Sequence, residues 1–188
     1  MLETQKPSGL PSGGFLAPEM VIGQFGLAPG MRVADFGSGG GYFTILMSQI
    51  VGDGGFVTAI DVVEADLEVV RAKAGSAGIK NLNTVRANLE VMGSSGITDG
   101  SQDFVLMANI LFQNDEKAGI IQEAKRILKP EGKLVVIDWK KKGQGFGPPD
   151  QYRVSKETAQ SLAQQEGFVF EREINAGSFH FGLVFRKQ

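Results

Sequence analysis

At 188 residues, 42% hydrophobic and 21% charged, the chain has the make-up of one globular domain large enough to bury a single core. A net charge of −2 gives no overall attraction to nucleic acid or an anionic membrane, and the absence of cysteine excludes disulfides, thiolate metal sites and cysteine nucleophiles. No apolar run is long enough to span a bilayer and the N-terminus lacks the apolar core of a secretion signal, so a cytoplasmic location is expected.

In chain order, residues 1–16 read as a flexible N-terminal arm punctuated by Pro7, Gly9, Pro11, Gly13 and Gly14, and 17–188 as a single domain. Pro18 suits a helix start, and 19–27 predicts a short helix ending near Gly26 and Pro29. Strand and helix signals then alternate. Strands are expected at 32–36, 56–61, 82–87, 104–108 and 134–138, with helices at 42–51, 64–77 and 115–128 between them. Asn114 is the expected N-cap of the last of these helices, and Lys129-Pro130-Glu131-Gly132 its stop. Residues 88–101 are an acidic, glycine-rich connection with room for one helical turn. A basic Gly/Pro-rich loop spans 140–153. Ser155 then caps a helix through Glu166, and 168–174 with 179–187 form an antiparallel pair around Asn175-Ala176-Gly177. The expected fold is therefore α/β: a doubly wound, mostly parallel sheet with helices on both faces and a C-terminal antiparallel hairpin.

One segment carries the chemistry. The strand Val33-Ala34-Asp35-Phe36 runs into Gly37-Ser38-Gly39-Gly40-Gly41 and then into the helix beginning Tyr42-Phe43. A strand, a glycine turn and a helix in that order make a ligand cradle, because a missing Cβ lets a ligand touch main chain. The dinucleotide fingerprint G-x-G-x-x-G fails in both registers: from Gly37 the third place falls on Tyr42, and from Gly39 on Thr44.

What fits is D-x-G-x-G-x-G, as Asp35, Gly37, Gly39 and Gly41. This resembles motif I of the class I S-adenosylmethionine-dependent methyltransferases, and the element order is similar to their seven-stranded Rossmann-like fold from about residue 17 onward. The resemblance is nearest to the ubiquinone/menaquinone-biosynthesis and arsenite methyltransferase branch. Arsenite chemistry there depends on cysteines, so a small organic acceptor is implied, with its reacting atom open.

The resemblance implies S-adenosylmethionine as cofactor, leaving as S-adenosylhomocysteine, and places its contacts just beyond the strand ends. Asp35, Gly37, Ser38, Gly39 and Gly41 are expected at the methionine end, with Asp35 serving the amino group. Asp61, ending FVTAID, is expected to accept from both ribose hydroxyls, with Val62 and Val63 against the adenine. Asn88, where relatives often carry an acid, is expected to accept from the adenine amino group through its amide oxygen, with Leu89 over the ring. Asn109, opening Asn109-Ile110-Leu111-Phe112, is expected at the cofactor or acceptor.

A methyltransferase of this kind needs no metal and no nucleophilic side chain, and no catalytic residue is assigned. Trp139 and the single histidine, His180, stay open between packing and a role at the acceptor. Phe15 and Leu16 are expected to form part of a lid, and the 145–149 loop part of the acceptor rim. Two other functions are compatible with the same fold. Lys140, Lys141, Lys142 and Arg153 could bind RNA phosphates, making an RNA methyltransferase, and a catalytically silent cofactor-binding module would look the same. Nothing in the sequence speaks to oligomeric state.

Overall fold

The computed structural model describes residues 16–141 and 147–188. Most of the expected arm, Phe15 of the expected lid, Lys142, Gly145 and Phe146 lie outside them. The strands are β1 Arg32–Phe36, β2 Phe56–Asp61, β3 Leu82–Arg86, β4 Gln102–Ala108, β5 Leu128–Trp139, β6 Phe168–Ile174 and β7 His180–Lys187. The helices are α1 Pro18–Val21, α2 Tyr42–Val51, α3 Glu64–Ser76, α4 Lys117–Ile127 and α5 Lys156–Gln165. One seven-stranded sheet has the order β3-β2-β1-β4-β5-β7-β6. β7 enters the gap between β5 and β6 and runs antiparallel to both, while β1 to β5 pair in parallel.

Apolar runs become strands here because both faces are covered. Along β4, Phe104 and Leu106 pack with α1 and α2 on one face, while Val105 and Met107 pack with α4 and α5 on the other. In β5, Leu134 and Val136 take the second of these faces and Val135 and Ile137 the first. The side-chain period of two thus divides one hydrophobic stretch between two cores.

Three local expectations are corrected. The segment 19–27 is one α turn followed by a 3-10 turn at Ile22–Gln24. Asn114 does not cap α4; its Nδ2 donates to the Ile110 carbonyl at 2.7 Å, and the amides ahead of α4, those of Asp115 and Glu116, donate to Glu90 Oε1 at 3.1 Å each. The Lys129–Gly132 stop is a turn carried inside β5: Leu128 already pairs with Gln102, and Glu131 takes the positive φ of 64° that the turn demands. The 88–101 connection holds turns and no helix.

That connection is fastened by a buried acid on α4. Glu123, with no solvent exposure, accepts from Ser95 Oγ at 2.5 Å, from the Gly93 amide at 2.7 Å and from Arg126 at 2.8 Å. Although burial opposes its charge, these partners hold its carboxyl down at about 2. Glu123→Ala leaves Ser95 Oγ and the Gly93 amide without their acceptor and takes from Arg126 the buried one of its two carboxylate partners, so denaturant unfolding should show a loss of about 3 kcal/mol at neutral pH. Because the folded-state pKa is depressed, the difference from the parent should persist above pH 4.5 and shrink as pH falls toward 2. A loss under about 1 kcal/mol would contradict this account of the connection.

Candidate functional site

The chain builds outward from β1 toward β3, then returns to lay β4 beside β1, so the strand order reverses between β1 and β4. A cleft opens beyond the carboxyl ends of strands at such a point. Here the glycine turn follows β1 and Asn109 follows β4.

The turn is anchored to β2. The amides of Gly37 and Ser38 donate to the Ile60 carbonyl at 2.8 and 3.0 Å, and that of Gly39 to Asp61 Oδ2 at 2.9 Å. The Gly41 amide closes onto the Ser38 carbonyl at 2.9 Å, and Lys73 Nζ on α3 reaches the Gly40 carbonyl at 2.6 Å. Four of the turn's amides are therefore already engaged. A pyrophosphate site needs such amides pointing at the ligand, so this turn offers shape rather than an anion cradle. Gly41, with φ of 77°, starts α2; a Cβ there would lie 2.8 Å from Val70 Cγ2 on α3. At Gly39, by contrast, an added Cβ would meet nothing within 4 Å, because that position looks into the cleft.

Two cavities flank the turn. One, about 400 Å³, is lined by Asp35, Ser38, Phe43, Asn109, Trp139 and His180 among others; the second, about 450 Å³, by Asp61, Val62, Val63, Asn88, Leu89 and Gln113. Gly37, Gly39, Ala108 and Asn109 border both, so the two are chambers of one cleft. Every residue expected at a cofactor lines one of them except Gly41, whose role is to let α2 approach α3.

Asp35 is buried and accepts from Thr44 Oγ1 at 2.5 Å. Burial pushes its carboxyl up to about 7 against the Thr44 hydrogen bond, with a smaller push from the Asp61 charge. Asp61 uses each carboxylate oxygen once, for the amides of Gly39 and Val63, and keeps a second lone pair on each. Asn88 Oδ1 accepts from the Glu90 amide at 3.0 Å, so half of its expected acceptor capacity is used locally. Val62 and Val63 stand about half exposed over the chamber, and Leu89 belongs to the core beneath it. Asn109 holds a φ of 57°, uncommon away from glycine, and its buried Oδ1 has no hydrogen-bond partner. Ser38 Oγ is likewise buried and unpartnered. Ile110 and Leu111 are core residues, and Ile110 covers Gly37.

Asp138 is positional rather than exposed to the cleft. Fully buried, it accepts from the amides of Leu111, Phe112 and Trp139, fixing the segment after β4 to the end of β5; burial holds its carboxyl at about 6 despite those bonds. Trp139 does line the cleft, 4.1 Å between ring centroids from His180, with which it pairs across β5 and β7. Arg153 is a correction. Its guanidinium is buried, donates to the carbonyls of Pro148 and Lys140 at 2.7 Å, and lies over the Trp139 ring. It buttresses the cleft wall and is not part of a basic surface edge.

Residues 27–172 match the model of a family described as a methyltransferase domain. A solved S-adenosylmethionine-dependent methyltransferase from Aquifex aeolicus superposes with a TM-score of 0.84 at 30% identity, covering 93% of this chain and 91% of that one. The chain belongs to the class I S-adenosylmethionine-dependent methyltransferases. This methyltransferase is also 38% identical over 117 residues to the ubiquinone/menaquinone biosynthesis C-methyltransferase of Shewanella woodyi; the match takes in 62% of the chain and 45% of that relative, so the chain spans about half the length of the curated relatives it matches. An arsenic(III) methyltransferase from Chlamydomonas reinhardtii shares the fold, with a TM-score of 0.67 at 22% identity over 85% of this chain and 64% of that one.

The cofactor is S-adenosylmethionine, and the methyltransferase's cleft fits it. Two chambers meet at a turn with four of its five amides already engaged, acids stand in each chamber, the unpartnered Asn109 oxygen lies at the join and the unpartnered Ser38 oxygen in the first chamber. Among the described residues no cluster suits a metal ion, and no helix is long and apolar enough to cross a membrane. Since Gly41 is needed for both its φ and its closeness to Val70, Gly41→Ala should cost about 2 kcal/mol in denaturant unfolding. A loss under about 0.5 kcal/mol would mean that the turn is less constrained than its geometry shows.

Proposed function

We propose that this methyltransferase transfers the S-adenosylmethionine methyl group to a small organic acceptor, at a ring carbon of a quinone precursor. The observation that carries the proposal is the two-chambered cleft at the strand reversal, with Asp61 in one chamber and Asp35 in the other. The C-methylation named for the curated relatives supports the acceptor class.

In this reading Asp61 accepts from the ribose hydroxyls through its remaining lone pairs, and Val62, Val63 and Leu89 pack on the adenine. Asn88 meets the adenine edge with the acceptor capacity that Glu90 leaves it. Gly37, Ser38 and Gly39 border the methionine end, Asp35 faces its amino group, and Asn109 offers its unpartnered amide oxygen. Bound there, the sulfonium supplies an already activated methyl group. The protein's task is then alignment and exclusion of water, worth several kcal/mol when the reacting atoms are held in line. Leu16, Phe43 and Trp139 give that chamber its apolar walls. An RNA acceptor is the weaker reading, because Arg153 is committed to the interior.

Calorimetry with S-adenosylmethionine should show binding and with NADH none; the reverse would sink the reading. A finer test uses Asp35. A carboxyl held near pH 7 is largely protonated at pH 6 in the free protein, and a cationic amino group beside it favours the carboxylate. Binding at pH 6 should therefore release a proton, seen by comparing buffers of different ionisation enthalpy, and affinity should rise between pH 5.5 and 7. Asp35→Asn should abolish the release. A release unchanged in Asp35→Asn would remove Asp35 from the amino-group site.

A further inference from the structure

Among the described residues at the cleft, His180 is a buried side chain with two hydrogen-bonding atoms, and both are idle. It is 2% exposed, and neither Nδ1 nor Nε2 has a partner. A neutral imidazole carries one N–H donor and one bare nitrogen acceptor, and leaving buried groups unpaired costs about 1–3 kcal/mol each. Elsewhere the fold satisfies such groups fully, as at Glu123 and Asp138. An imidazole held this way waits for something.

Its position says what kind of thing. His180 lines the apolar chamber beside Asp35 and Trp139, and also a larger cavity of about 690 Å³ bordered by Lys140, Lys141, Ser155, Lys156 and Asn175. It is therefore the junction between the methionine-end chamber and the open space beyond. The ring is fixed there by Trp139, itself backed by Arg153 on one side and closely approached by Gly147, where a Cβ would come within 2.6 Å of the indole.

We propose that His180 is the acceptor-positioning residue: its imidazole takes a hydrogen bond from a hydroxyl on an aromatic methyl acceptor, whose ring lies in the apolar chamber and whose remainder extends into the larger cavity. This rests on the cofactor reading above. Charge in the larger cavity suits an acidic tail. Lys156 is paired with Glu173 at 2.7 Å, Lys140 uses two of its three donors on the carbonyls of Gly177 and Ser178, and Lys141 makes no ion pair among the described residues, against the single remaining acid of the lining, Glu157. Burial, with the charges of Lys140 and Arg153 nearby, pushes the imidazole down to about 4. At neutral pH it is thus a ready hydrogen-bond acceptor and a poor proton store, which makes its role orientation rather than general base.

Because the chain has one histidine, 15N-histidine labelling reports this imidazole alone. With S-adenosylhomocysteine saturating, titration with 4-hydroxybenzoate should shift the bare nitrogen toward the hydrogen-bonded range, and benzoate should not. Calorimetry should show 4-hydroxybenzoate binding at least about tenfold tighter than benzoate, an advantage that His180→Phe reduces to under about twofold while S-adenosylhomocysteine affinity stays within about twofold. His180→Asn, which keeps both an acceptor and a donor, should retain part of the preference.

Equal binding of the two probes, an unmoved imidazole signal, or no binding of 4-hydroxybenzoate at about 10 mM would overturn the proposal. A large loss of S-adenosylhomocysteine affinity in His180→Phe would also overturn it, by assigning the residue to the cofactor. Failure of the parent protein to bind S-adenosylhomocysteine at all would instead overturn the cofactor reading.

Discussion

The cleft depends on the bond between the Gly39 amide and the Asp61 carboxylate, which ties the turn after β1 to the end of β2. Without it the turn would be held to β2 only through the Ile60 carbonyl. With it, the same carboxylate also receives the Val63 amide and so sets the approach to α3. One acid thus fixes two loops at one end of the sheet and still presents lone pairs to the chamber between them. The positive φ at Gly41 and its contact with Val70 then bring α2 against α3 behind the turn. The shape of both chambers follows from these few contacts, and so does their unsuitability for a pyrophosphate.

A contrast runs through the polar interior. Buried groups that hold loops together are saturated: Glu123 anchors the connection after β3, Asp138 the segment after β4, and Arg153 the wall behind Trp139. Buried groups that border the cleft are not. Ser38, Asn109 and His180 all keep unpartnered atoms there, and Asp35 keeps a carboxyl whose charge is suppressed by burial. Among the described residues the unsatisfied buried side-chain groups gather at this one place, the mark of a site that completes its bonding with ligands.

Much of this was legible in the chain. The bounds of β1, α2, β2 and β6 follow from glycine punctuation and from short apolar runs, which are local signals. Asp35 is the penultimate residue of β1, Asp61 ends β2, and Asn88 and Asn109 follow β3 and β4, so the alternation of strands and helices places them at one edge of the sheet. What could not be read depends on distant partners. Glu90 rather than Asn114 meets the amides ahead of α4, because the two segments are brought together only by the sheet. Lys129-Pro130-Glu131-Gly132 has the composition of a helix stop, yet pairing of Leu128 with Gln102 draws it into β5. Arg153 sits in a basic stretch but turns inward onto Trp139. His180 reaches the cleft only because β7 inserts between β5 and β6, and no local pattern announces that insertion.

The central claim is that one ligand spans both chambers across the glycine turn, and a crystal structure with S-adenosylhomocysteine tests it most directly. The account predicts ribose hydroxyls on Asp61, the adenine between Val62 and Leu89, and the amino acid end against Gly37 and Asp35, with the cavity beyond His180 left open. A ligand lodged in that outer cavity, or one lying in the cleft without touching Asp61 and the turn, would contradict it.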